Sequence, residues 1–275
     1  MKTTMKMALL VSALAAFATP AHAQPVGDLL YLDGFEFFSR LNDTGQNGCA
    51  NSGTIVLIDL PCPQAGFPRQ DGDLGRDALA RSGSLAKIGG GEAGFDFTKI
   101  SNSGASLPAS AGLGSGPNDW ACTRDNATGL FWEVKIDSAP NLRHVGHRYT
   151  WFSTDFSSNG GASGLIGGPG SCSNTLGLCN TQAYVAAINA LDLCGFSDWR
   201  MPDQFQLQAI VSQTRTMLTL PAVDPTYFPN TRSSFYWTGT HSAGGGAWAI
   251  AFARGEMSFA VEETTHHIRL VRSGQ

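Results

Sequence analysis

Six cysteines, at positions 49, 62, 122, 172, 179 and 194, follow an N-terminal stretch built like an export signal. Lys2 and Lys6 form its basic head, Met7 to Ala18 its apolar run, and Ala21-His22-Ala23 a small-x-small cleavage site. That run is too short for a membrane span, so the mature chain is expected to start near Gln24, in the periplasm, at the cell surface or outside the cell. In such an oxidising compartment six cysteines read as three disulfides rather than metal ligands, and no CxxC pair is present to argue otherwise. Six cysteines allow about 15 pairings, and sequence does not choose among them. The expectation is two local clips, Cys49–Cys62 and Cys172–Cys179, with Cys122–Cys194 tying an early strand to the centre of the chain.

Composition narrows the classes further. Loss of the signal removes two lysines and no acid, taking the formal charge from −4 to −6. Charged residues are 15% of the chain, and 33 glycines mark it as loop-rich. A mildly acidic surface lacks the basic field that nucleic acid or an anionic membrane demands, so neither is an expected partner.

Residues 24 to 94 contain no tryptophan and are dense in Gly, Asp and Pro; they read as a Gly-rich extension, with Leu29 to Phe38 and Thr54 to Leu60 as possible strands. Gly89-x-Gly91-x-x-Gly94 matches a dinucleotide fingerprint by letters only. A strand-like Phe95-Asp96-Phe97-Thr98 follows it where the fingerprint needs a helix. From residue 95 to 275 the texture is that of a main domain, with all six tryptophans between 120 and 248. Phe95 to Ile100, Trp120 to Arg124 and Leu130 to Lys135 read as strands, with a turn at Asn126 to Gly129. Asp125 and Asn126 at that turn are more simply turn residues than calcium ligands. Arg143 to Arg148, with His144 and His147, reads as a solvated basic loop, and residues 157 to 178 as a clipped surface loop. One helix is expected from Thr181 to Asp192 on the face Ala183, Tyr184, Ala187, Ile188, Leu191.

Cys194 to Val211 is the best-marked stretch. A short aromatic strand, Phe196 to Met201, runs into Pro202, which belongs at a boundary. Asp203 and Gln206 then stand at capping-box spacing, opening a second helix that carries Leu207, Ile210, Val211 and Thr214 on one face. Met217 to Asn230, with three prolines, reads as an extended loop. Trp248, Ile250 and Phe252 alternate as a strand that returns through Arg254-Gly255-Glu256 into Met257, Phe259 and Val261. Ile268 to Arg272 closes the domain, with Arg269 or Arg272 pairing a buried acid such as Asp198.

Asp198-Trp199-Arg200-Met201-Pro202 resembles the DWRLP signature of the Lcl C-terminal domain family, described first as a domain of unknown function and named for a collagen-like bacterial adhesin. Four more segments match in the same order: Arg124 to Trp132, Cys179 to Val185, Tyr236 to Thr240 and Ile268 to Arg272. The family has Leu at the Met201 position, Thr-x-x-Glu at Asp203 to Gln206 and Ser-Ser at Thr238-Gly239. The resemblance implies an α+β domain similar to the C-type-lectin-like fold, with two helices, short antiparallel strands and long disulfide-clipped loops. It also implies a ligand surface on the loop after the second helix, here about Thr219 to Gly246, joined by Glu262 to His267.

Candidate binding residues there are Arg232, His241, Glu262, Glu263, His266 and His267, with Trp237 as a platform on which a sugar could stack. The adhesin resemblance implies a sulfated polysaccharide, but an acidic chain without Lys/Arg clusters suits a neutral surface glycan or a protein partner better. The collagen-like repeat is absent. The expected function is therefore an exported, non-catalytic binding module, with a structural or assembly component of an envelope or surface appendage as the alternative. A formylglycine-generating type of enzyme, with Cys172 and Cys179 as its thiols, is the third reading. No cofactor is expected, calcium having no set of ligands behind it.

Overall fold

The structure is a computed structural model that describes residues 42–52, 60–242 and 245–274. The signal segment and both strands proposed upstream of Leu60 lie outside the described residues, save Leu60 itself, which pairs with Cys49.

Four short helices and two antiparallel sheets make up the described fold. The first sheet has the order β2-β1-β3-β4-β8, from β1 (Phe97–Ser101), β2 (Ser106–Leu107), β3 (Trp120–Asp125), β4 (Phe131–Glu133) and β8 (Val271–Arg272). The second is β5-β6-β7, from β5 (Phe235–His241), β6 (Ala247–Ala251) and β7 (Glu256–Ala260). The helices are α1 (Gly75–Arg81), α2 (Thr181–Ala190), α3 (Gln204–Gln208) and α4 (Gln213–Leu218). No helix among the described residues is long and apolar enough to cross a membrane. The cysteines pair as Cys49–Cys62, Cys122–Cys194 and Cys172–Cys179, leaving none free, which fits an oxidising compartment outside the cytoplasm.

Local chemistry explains most boundaries. β3 turns into β4 through an Asx turn in which Asp125 Oδ1 accepts the amides of Ala127 and Thr128, with Gly129 at φ +77°. The capping box of α3 forms: Asp203 accepts from the Gln206 amide at 2.8 Å, and the Gln206 side chain accepts from the Asp203 amide at 3.1 Å. That helix stops after one turn, however. Ile210, Val211 and Ser212 leave the helical path to bury themselves, and α4 starts afresh at Gln213. The expected single helix is therefore two.

The expected strand Phe196–Met201 is also absent. Its backbone is bonded instead to a side chain, Asn189, whose amide takes both the N–H and the C=O of Trp199 at 2.7 and 2.9 Å. Only Arg200 makes a ladder contact, with Val271. Gly89 to Gly94 has no helix after it. A Cβ on Gly89 would lie 2.0 Å from the Phe97 carbonyl, so glycine there permits the close pairing of Gly90 with Phe97.

Two packed clusters form most of the core. One joins β1, β4 and β6 to the turn that carries Ala222, Val223, Tyr227 and Phe228, so part of the stretch read as an extended loop is interior. The other gathers Tyr149, Tyr184, Ile188, Trp199, Ile268 and Leu270 around the Cys122–Cys194 bridge. Leu191, placed on the buried face of α2 by its spacing, is exposed because the helix ends at Ala190. The basic loop is not solvated either. Arg143 and His147 are buried, with Arg143 donating to the carbonyls of Ala121 and Val134 and His147 Nδ1 3.2 Å from the Leu142 carbonyl.

Beside the second cluster lies a buried set of ionisable side chains. Glu133 accepts from Tyr184 Oη, from Lys135 Nζ at 2.7 Å and from the Leu270 amide at 3.0 Å. Burial pulls the Lys135 ammonium down to about 8, against the pull of Glu133. Residues 42–52 and 60–94 are bonded into the same body. Thr44 O accepts from Gln213 N at 2.9 Å, and Asn42 Nδ2 donates to Asp125 at 2.7 Å.

Candidate functional site

An open cleft of about 970 Å³ is walled by four separated stretches. One wall is Trp151 to Asp155 with Ser157 and Ser158, and another is the bulged end of β5 with Gly239, Thr240 and His241. The first turn of α2 supplies Thr181, Gln182 and Val185, and the corner before α3 supplies Arg200, Met201 and Asp203.

Each wall is held by specific bonds. Thr181 Oγ1 donates to the Phe152 carbonyl and accepts from its amide, clamping the 149–152 segment to α2. Asn180 caps α2 by accepting from the Ala183 amide at 2.8 Å. The register shift in the β5–β6 pairing, between Trp237 and His241, turns Gly239 toward the corner, where its amide donates to the Pro202 carbonyl at 2.7 Å. A Cβ at Gly239 would meet that of Met201 at 3.1 Å, so these two walls touch. Trp151 is buried behind the cleft, its indole N–H on the Thr238 carbonyl at 2.9 Å.

The polar lining is short and mixed. Asp155 accepts from the amide and hydroxyl of Ser157 and from Ser158, bonds that hold its carboxyl below the usual carboxylate range. Gln182 Oε1 accepts from Thr154, and Thr240 Oγ1 accepts from the Gln204 amide. Arg200 donates to Gln206 Oε1 at 2.8 Å; burial lowers its pKa. Asp203 uses Oδ1 for its cap, and Oδ2 has no partner among the described residues. The half-buried Phe152 is the accessible ring in the lining, whereas Phe156 and Phe205, both largely exposed, lie outside it.

Of the seven residues proposed from sequence, the cleft takes one directly. His241 lines it, packed 5.4 Å from the Trp151 ring, with Nε2 3.0 Å from Glu262 Oε1. Glu262 thus orients the ring from outside the lining. A Cβ on Gly160 would fall 2.4 Å from His241 Nδ1, so the other side of the imidazole is packed against backbone. Trp237 is no platform. It is fully buried, its indole N–H on the Tyr149 carbonyl at 2.8 Å, because β5 is covered on both faces. His266 packs against it at a tilt, with ring centroids 4.4 Å apart, and His267 is buried with Nδ1 2.8 Å from the His147 carbonyl. Burial pushes both histidines down to about 4, so they are neutral. Arg232 and Glu263 are exposed and lie outside the cleft lining.

Asp198 does pair with Arg272, at 2.6 Å, but its side chain is 57% exposed rather than buried. Arg269 is the fully buried arginine, donating to the Glu133 carbonyl and to Thr231 Oγ1. A trio of carboxylates, Asp43, Asp71 and Asp77, gathers away from the cleft. Burial first, then Asp43, raises the Asp77 carboxyl to about 7.

Fold and cleft together define a small, disulfide-stapled α+β module whose cleft is framed by loops and helix ends. The model of the Lcl C-terminal domain matches residues 121–272, more than half of the chain, and the protein belongs to that family. Neither a curated protein nor a solved structure matches it.

Proposed function

We propose that the protein is an exported binding module that holds a neutral glycan in this cleft without transforming it. The observation that carries the reading is the Phe152 ring beside hydroxyl, amide and carboxylate groups in one broad cleft. Sugars present CH faces that stack on aromatic rings and hydroxyls that bond to such polar groups. Asp155 and Asp203 against the single Arg200 disfavour the sulfated polymers implied by the adhesin resemblance, because like charges would be desolvated together. The lectin-like resemblance suits this reading, since such folds carry ligands on irregular loops over a rigid scaffold. His241 serves as a wall rather than a base, because one ring nitrogen faces Glu262 and the other is packed on Gly160. All six sulfurs are in bridges, so no thiol supports the formylglycine-type alternative.

The test is a glycan array probed with and without EDTA, with hits titrated against Asp155→Ala and Gln182→Ala, both in the cleft lining. Both side chains are exposed, so the variants should fold normally yet lose tenfold or more in affinity, about 1.4 kcal/mol. Binding should survive EDTA. A folded protein that retains no glycan, or variants that bind like the parent, would remove the glycan reading. The assembly alternative draws on a different surface.

A further inference from the structure

The geometry points to the outer edge of β7 as a two-fold interface with a second copy of this chain, reached independently of the cleft. Sheets end at edges whose free N–H and C=O groups can pair with another strand, and monomers usually blunt them with short length, bulges, lysine or proline. The other edges here are blunted. β2 and β8 have two residues each, and the outer side of β5 is taken up by His267, which bonds Trp237 and Phe235. β7 is different. It runs five residues, pairs in regular register with β6 throughout, and contains no lysine, proline or bulge. Apart from a local bond from Ser258 Oγ to the Phe259 carbonyl, no further bond reaches its backbone among the described residues.

Its side chains are self-complementary about Ser258. An antiparallel pair of β7 strands with Ser258 on the two-fold axis sets each Met257 opposite the partner copy's Phe259, an apolar cross-strand pair made twice. Phe259 is 42% exposed and Val261 48%, so both have apolar surface to bury. The same register sets Arg254, exposed at one end of the strand, opposite the acidic end at Glu262 and Glu263. Neither Arg254 nor Glu263 has an ion-pair partner among the described residues, and pairing two copies supplies one at each end. This charge pattern selects a second copy over an arbitrary strand. A five-residue ladder buries little area, so the dimer is weak, half-formed at tens of micromolar (roughly the transient class).

Sedimentation of the intact mature protein from about 1 to 300 μM should show a reversible monomer–dimer shift. Ser258→Cys places two thiols across the axis, where facing residues lie ~5 Å apart, and should give a disulfide-linked dimer under mild oxidation. Along β5 and β6 the bonding side alternates, so that Ser258 faces Ala249 and Phe259 the free edge. Phe259→Pro removes that edge N–H and should keep the protein monomeric. Arg254→Glu should weaken the dimer at least fivefold, and adding Glu263→Arg should restore it. A wild-type protein that stays monomeric to 300 μM, or a dimer that Arg254→Glu leaves unchanged and Ser258→Cys fails to trap, overturns the assignment.

Discussion

Asp77 and His267 set opposite demands on pH. Asp77 is fully buried, and its carboxyl is raised to about 7 by burial and by Asp43. Between pH 4 and 7 the folded state therefore holds a proton that the unfolded chain releases, and this residue costs increasing stability as pH rises through that window. His267 is buried neutral down to about 4, whereas the unfolded chain takes up its proton near 6.5. Its contribution is present above 6.5 and is lost as pH falls toward 4. Thermal melts should thus show a broad plateau near pH 5 to 7. Asp77→Asn keeps an acceptor for the Gly94 amide and should raise Tm at pH 8 by about 4 °C, with little change at pH 4. His267→Gln should flatten the acid limb instead. Equal effects of Asp77→Asn at both pH values would show that its carboxyl titrates normally.

The Asp198 to Pro202 signature works at the level of elements, because its residues tie β8, β5 and α2 together. Asp198 pairs with Arg272 on β8, Arg200 exchanges backbone bonds with Val271, and Pro202 accepts from Gly239 on β5. Trp199 fills the second core cluster and donates its indole N–H to the Leu193 carbonyl at 3.0 Å. The hinge of this arrangement is Asn189 on α2, which satisfies both backbone groups of Trp199. Asn189→Ala should cost about 2–3 kcal/mol by leaving two part-buried groups unpaired, and denaturant unfolding would read it as a lower midpoint with an unchanged slope. Much of this was legible in sequence: the cap at Asp203, the boundary at Pro202 and the alternation from Trp248 to Phe259 are local patterns, and the structure keeps them. What was not legible is non-local. An apolar-aromatic run becomes a strand only if a neighbour offers backbone, and Phe196 to Met201 was offered a side-chain amide. Trp237 has the composition of a sugar platform, and only the covering of β5 on both faces shows that it is core. The cleft itself is assembled from Asp155, Gln182, Asp203 and Thr240, ordinary polar residues far apart in the chain, so no spacing could announce it.

At the scale of the whole molecule the three bridges close chain segments of very different length, 72 residues for Cys122–Cys194 against 13 for Cys49–Cys62 and 7 for Cys172–Cys179. A bridge removes freedom from the unfolded chain in proportion to the logarithm of that length, giving roughly 4, 3 and 2 kcal/mol. The long bridge also joins β3 of the first sheet to the turn that leads into the signature, and both of its cysteines are buried. Its loss therefore adds a packing defect to the entropic cost, whereas Cys172–Cys179 staples a surface loop onto the segment before α2. Paired alanine substitutions should rank accordingly. Cys122→Ala with Cys194→Ala should lower Tm by about 10 °C or more, and Cys172→Ala with Cys179→Ala by about half as much. Calorimetry of the two double variants, beside the parent under non-reducing conditions, decides this. An equal fall in both would mean that the short clip holds native packing, since seven residues cannot supply that much chain entropy. The cleft would then depend on residues 172–179 as directly as on the signature corner.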